Sequence, residues 1–204
     1  MRITLDDFET TLQARTVGAA LEEAAGIVGR NGRMIVEVEV DGAAWTEEDL
    51  ANPEFASRPA GELRIGTAHP AELLRDTFAH AAEAVLNAEE IQRNAAKLLQ
   101  ANRTREGFDG LLQALAIWGS AQTAVSRGLE LGVLSRESVG ARGIDLDGAI
   151  AALDARLRTL RDAMAAADQT AVSDCLLYEF PETSRRFAKL LADLAGEAAR
   201  VVGN

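Results

Sequence analysis

The chain has 204 residues, of which 48% are hydrophobic, 26% charged and 4% aromatic, values that exclude wholesale disorder and allow one domain or two small ones. Acidic residues outnumber basic ones by 32 to 21, giving a net charge of −11, so a nucleic-acid or anionic-membrane partner is disfavoured: both gain affinity from clustered Lys and Arg. A single cysteine, Cys175, excludes an intrachain disulfide and a thiolate metal cluster.

Arg2 to Leu5 reads as a strand rather than a secretory h-region, and a bacterial cytosol is the expected compartment. A weaker strand is expected over Thr10 to Gln13. Thr16 to Val28 carries Val17, Leu21, Ala24 or Ala25, and Val28 at helical spacing, and Gly29 with Asn31-Gly32 ends it. Arg33 to Val40 alternates apolar and acidic residues, the period of a strand with one wet face on which Glu37 and Glu39 are solvated. Asp41-Gly42 then signals a hairpin into Ala43-Ala44-Trp45. Thr46 and Asp49 form a capping-box pattern opening a helical turn through Leu50, Pro53 and Pro59 bracket a loop, and Gly61 to Thr67 is a last strand.

This order of elements resembles the ubiquitin-like β-grasp fold, a mixed sheet wrapped round one helix. The resemblance covers about a third of the chain and implies fold, not function. The last strand runs into Pro70 with no free Gly-Gly tail, which argues against a conjugated modifier or sulfur carrier.

From Pro70 the chain is expected to be helical, and the domain boundary is placed between residues 69 and 70. Leu74, Phe78, Ala81, Val85, Ala88, Ala95 and Leu99 form one apolar stripe. Phe108, Leu111, Leu115, Trp118, Gln122, Val125 and Leu129 form a second, closed by a glycine-rich loop from Gly132 to Gly143. A third runs from Leu146 to Ala167. The fourth starts near Thr170, is kinked or split by Pro181, and restarts through Phe187, Leu191, Leu194, Ala198 and Val201. Such stripes bury themselves best against one another, so residues 70–204 are expected to form an antiparallel bundle of four to five helices. The fold class is therefore α+β, a β-grasp-like module over 1–69 followed by that bundle.

Catalytic patterns are scarce. His69 and His80 are the only histidines and neither lies in Glu-x-x-His, so a di-iron site and the usual zinc sites do not fit, and no calcium-loop spacing occurs. Nucleophile-elbow and phosphate-loop patterns are absent as well. Cys175, in an apolar helical setting beside Asp174, reads as a buried hydrophobe. No catalytic residue, cofactor or metal is expected. Arg75 and His80 resemble the Arg-x(4–6)-His signature of HEPN-type helical ribonucleases. That resemblance implies His80 as a proton-transfer group at a ribose hydroxyl and Arg75 as a stabiliser of phosphate charge.

Two features suggest recognition instead. Asp174 and Tyr178 share a helical face, and with Glu179 they sit beside the helix-interrupting Pro181. They form either a presented surface or, as the favoured reading, a Tyr178 ring packed on the bundle. The second helix also carries Ala114, Ile117, Ala121 and Ala124 on what reads as a spare apolar side, suited to a dimer face. Trp118 is assigned to the core. The expected function is a non-enzymatic protein–protein interaction protein, an adaptor or chaperone-like subunit of a bacterial assembly, binding a protein partner or a second copy of itself. A HEPN-like ribonuclease and a small-ligand sensor with a pocket between sheet and bundle are the alternatives.

Overall fold

The computed structural model describes residues 1–202. The fold is α+β, and the chain divides into two compact units, Met1–Leu73 and Leu74 onward.

The first unit holds a five-stranded mixed sheet. Its strands are β1 (Arg2–Leu5), β2 (Phe8–Thr10), β3 (Met34–Val40), β4 (Ala43–Ala44) and β5 (Glu62–Ala68), in the spatial order β2-β1-β5-β3-β4. β1 and β5 are parallel and every other pair is antiparallel. Alternation sends Ile3, Val38, Val40, Leu63 and Ile65 to one face. Helix α1 (Val17–Arg30) packs there through Val17, Ala20 and Ala24, and the Thr16 hydroxyl accepts from the Ala19 N–H at its start.

Turn chemistry fixes the register. Asp41 and Gly42 both have positive φ, 50° and 83°, which matches the right-handed twist of the hairpin between β3 and β4. Asp6 and Asp7 take the same left-handed conformation, at 46° and 67°, and join β1 to β2 in a two-residue turn. The second strand therefore starts at Phe8 and ends at Thr10, ahead of the expected Thr10–Gln13. The Asp6 carboxylate accepts from the Thr67 N–H at 2.7 Å, the Thr67 hydroxyl at 2.5 Å and Arg33 at 3.2 Å, tying this turn to β5. In β3 a register shift between Ile35 and Glu37 leaves Val36 outside the ladder and 47% exposed, which accommodates three consecutive apolar residues.

Thr46 and Asp49 complete both halves of the capping box at the start of α2 (Glu47–Ala51). The expected loop between Pro53 and Pro59 contains a further turn of helix, α3 (Pro53–Ala56). Asn52 caps it, accepting from the Glu54 N–H at 3.0 Å, and Pro53 occupies a first-turn position where its missing N–H costs nothing.

The second unit is helical: α4 (Pro70–Gln100, whose first turn begins in the first unit), α5 (Thr104–Glu130), α6 (Arg136–Ala141), α7 (Leu146–Ala165), α8 (Gln169–Asp174) and α9 (Phe180–Val202), with a π-helical turn over Cys175–Glu179. Helix α6 occupies the stretch expected to be a glycine-rich loop; Ser135 and Ser138 cap it reciprocally. α4 and α5 run antiparallel at close range. A Cβ on Gly107 would lie 2.7 Å from the Leu99 side chain, and one on Gly128 would lie 2.5 Å from the Phe78 ring. α7 and α9 are also antiparallel, linked by Arg186–Asp145 at 2.5 Å and by the Arg156–Glu179 ion pair.

Trp118 is 1% exposed at the centre of this unit, with the rings of Phe180 and Phe187 at 5.9 and 5.6 Å. Gly107, Leu111, Ala114, Trp118, Ala121, Val125 and Gly128 define the buried face of α5. Ala114 and Ala121 thus belong to the same face as Trp118, and no spare side of α5 contains them. A residue three positions away lies only about 60° round a helix. Gly107 makes room for Leu99 and Ala95 of α4 and Gly128 for the Phe78 ring, so the space left by the small residues at both ends of this face is filled from within the chain.

Candidate interaction surface

The segment from Asp168 to Pro181 is built by two local constraints. The Asp168 carboxylate accepts from the Ala171 N–H at 2.9 Å and starts α8. Thirteen residues on, Pro181 has no N–H to donate, and its ring crowds the carbonyl four residues earlier. The backbone meets this with a widened turn: the Phe180 N–H donates to the Cys175 carbonyl, five residues back. The expected break at Pro181 is thus a π-turn immediately before it.

The turn orients its side chains sharply. Cys175, Leu176 and Phe180 are buried at 1%, 1% and 0% exposure. Tyr178 is 74% exposed, so its ring projects into solvent and does not pack on the helices as favoured from the sequence. It lies two residues from Phe180, about 200° round the axis, which forces the two rings to opposite sides. Asp174 is also exposed. Glu179 is half-buried and engaged, its carboxylate paired with Arg156 of α7, which pins the π-turn to its neighbour. Burial pushes the Cys175 thiol up, against a smaller opposite effect of the Arg156 charge, so the thiolate is scarce at neutral pH.

The sequence-derived candidates on α5 separate. Ala121 is 2% exposed and cannot serve as surface, because it lies in the core beside Trp118. Ile117 and Ala124 are half-buried on its flank. Leu112 is a large apolar residue of α5 that is 61% exposed, outside the stripe followed in the sequence.

Arg75 and His80 are both exposed on α4. Five residues apart on a helix, they lie about 140° from each other round its axis. Each engages Asp76. Arg75 Nε donates to the Asp76 carboxylate at 2.8 Å, and His80 Nδ1 donates to the Asp76 carbonyl at 2.7 Å. The hydrogen bond from Arg75 holds the Asp76 carboxyl below its ordinary range, helped by the charges of Arg75 and His80.

A pocket of about 640 Å³ lies elsewhere in the helical unit, under the turn from α5 to α6, where Val125, Leu129, Leu134, Ile150 and Phe187 converge. Its signal in the sequence was the Ser135–Ser138 pair, whose cap converts an expected loop into α6. Among the described residues, no group of three or more His, Cys, Asp or Glu is placed to hold a metal ion, and no helix is long and apolar enough to cross a membrane. No protein-family profile, curated protein or solved structure matches this chain.

Proposed function

We propose that the first unit is a β-grasp-like module, that the helices after Pro70 form an antiparallel bundle, and that the protein is a non-enzymatic adaptor or chaperone-like subunit of a bacterial, cytoplasmic assembly. The β-grasp reading is supported by the parallel pairing of β1 with β5 and by α1 covering one face of the sheet. The bundle reading is supported by the antiparallel pairs α4–α5 and α7–α9.

One observation carries the functional reading: the chain's single tyrosine is turned out on a π-turn whose other side is anchored by Cys175, Leu176 and Phe180. Tyrosine is enriched among residues that dominate binding energy at protein interfaces. A ring on a fixed backbone loses little conformational freedom on binding. The exposed carboxylate of Asp174 adds a polar rim. The Arg75 and His80 side chains diverge round α4, which does not favour the ribonuclease alternative.

A photo-crosslinking residue at position 178 tests this. In lysate of the source organism it should capture one reproducible protein, or a second copy of the chain, and the same group at exposed Leu112 should not. Tyr178→Ala should keep the fold intact, within about 0.5 kcal/mol, because exposed sites rarely change stability more. A strictly monomeric protein with no adduct specific to position 178 refutes the reading.

A further inference from the structure

We propose that the helical unit also binds a mainly apolar small molecule that carries an N–H or O–H donor and no negative charge, in the pocket beneath the α5–α6 turn. This site is independent of the Tyr178 surface. Its volume, about 640 Å³, falls within the roughly 300–1,000 Å³ of sites that enclose small ligands. Four parts of the chain build its apolar wall. Val125 and Leu129 come from α5, Leu134 from the turn, Ile150 from α7 and Phe187 from α9. Phe187, Leu134 and Val125 are 1–3% exposed, so the apolar wall is fixed by the core rather than by mobile surface side chains.

The polar lining defines the other end of the ligand. Glu130 and Arg136 bring one charge of each sign, but only Arg136 is neutralised, by Asp147; Glu130 has a hydroxyl contact, Ser126 Oγ donating at 3.4 Å, and keeps its negative charge. An anionic ligand would lose its hydration beside the Glu130 carboxylate and meet no uncompensated positive charge, which disfavours anions. Gln122 donates its Nε2 hydrogen toward Asp154 at 3.4 Å, which leaves its amide oxygen to accept. The Ser126 oxygen, whose hydrogen goes to Glu130, likewise accepts. Acceptors beside an apolar wall, the Glu130 carboxylate among them, select an apolar molecule with an N–H or O–H donor and no negative charge, such as a diarylamine or a long-chain alcohol.

The core supplies a reporter. Phe187 meets Trp118 edge-to-face at 5.6 Å, so a molecule against Phe187 sits one ring from the indole. Trp45, the other tryptophan, belongs to the sheet unit, and Trp45→Phe leaves Trp118 alone to report. The full chain carrying Trp45→Phe is titrated with N-phenyl-1-naphthylamine, a neutral apolar probe with one N–H. Trp118 emission and probe emission are followed together, and the anionic 1-anilinonaphthalene-8-sulfonate is run in parallel.

One saturable site should appear in both signals, at least about tenfold tighter for the neutral probe than for the sulfonate, since desolvating an unpaired charge opposes binding. Ser126→Phe, which fills the mouth from an exposed position, should weaken it by about tenfold or more by occupying the space. Leu112→Ser, at an exposed position of α5 outside the pocket lining, should leave it unchanged. Where Ser126→Phe lowers the far-UV circular dichroism, Gln122→Leu makes the same test by removing an acceptor. Absence of saturation in the folded protein overturns the proposal. So does equal affinity for the sulfonate, or unchanged affinity in the pocket variants.

Discussion

Gln92 offers a direct measurement of what one buried amide costs this protein. It lies on α4 in step with Ala88, Ala95 and Leu99, is 0% exposed, and neither its Oε1 nor its Nε2 has a hydrogen-bond partner among the described residues. A buried polar group without a partner costs about 1–3 kcal/mol, and here a donor and an acceptor are both involved. Gln92→Met keeps the length of the side chain and removes both groups, against a repacking cost of less than about 1.5 kcal/mol. The expected net effect is stabilisation by about 1–3 kcal/mol. Gln92→Ala also removes the amide but leaves a void among α4 and its neighbours, so it should fall well short of the methionine variant. Urea unfolding in the Trp45→Phe background, followed by Trp118 fluorescence, isolates the helical unit. With a slope of about 2 kcal/mol per molar, Gln92→Met should raise the midpoint by about 1 M. A midpoint lowered by the methionine would show that the amide is satisfied in solution, and the reasoning from burial would fail.

Two further outcomes follow from close contacts and charge. Gly128→Ala places a Cβ 2.5 Å from the Phe78 ring and should destabilise the helical unit by about 1–3 kcal/mol, the usual cost of overpacking. Gly119→Ala, with nothing within 4 Å, should stabilise it by up to about 1 kcal/mol through helix propensity alone, and the same urea titration ranks the pair. In the sheet unit, the Thr67 hydroxyl and N–H, with Arg33, hold the Asp6 carboxyl below its ordinary range. Its contribution to stability is therefore complete above the unfolded value of about 3.9 and is lost as pH falls through the lower folded value. Asp6→Asn tolerates the left-handed turn, and should flatten the dependence of sheet-unit stability on pH below about 4, read by Trp45 fluorescence; an unchanged acid slope would remove Asp6 from the account.

The parts of the fold legible in the sequence are those where local chemistry and periodicity agree. Asp41-Gly42 between alternating runs becomes a hairpin, and Thr46 with Asp49 becomes a complete capping box. The β1–β2 turn escaped notice because two aspartates take conformations usually left to glycine, and what holds Asp6 there is Thr67, 61 residues away. Helix α3 was hidden by proline, which reads as a breaker even at a first-turn position, and α6 by glycines that hid the Ser135–Ser138 cap. On α5, following the large residues drew the stripe toward Leu115 and Leu129. The true seam runs through Gly107, Ala114, Ala121 and Gly128, whose value lies in what they leave room for. The sequence stripe on α4 passes through Gln92, a polar residue that contributed nothing to an apolar count.

The same reasoning separates what the π-turn does from what it merely accompanies. In a regular helix Cys175 would lie about 140° from Phe180, half on the wet side; the extra residue in the turn brings the two onto one face, where both are buried. Tyr178, two residues from Phe180, points outward with or without the insertion. The π-turn therefore serves the core, by burying Cys175 and Leu176 beneath a helix that must also admit Pro181, while the Arg156–Glu179 pair fastens it to α7. Tyr178 inherits a backbone anchored by the buried Cys175, Leu176 and Phe180 and by the Arg156–Glu179 pair, while its own ring stays 74% exposed. An aromatic side chain so placed contributes little to folding, which is why the proposed interaction is centred on it.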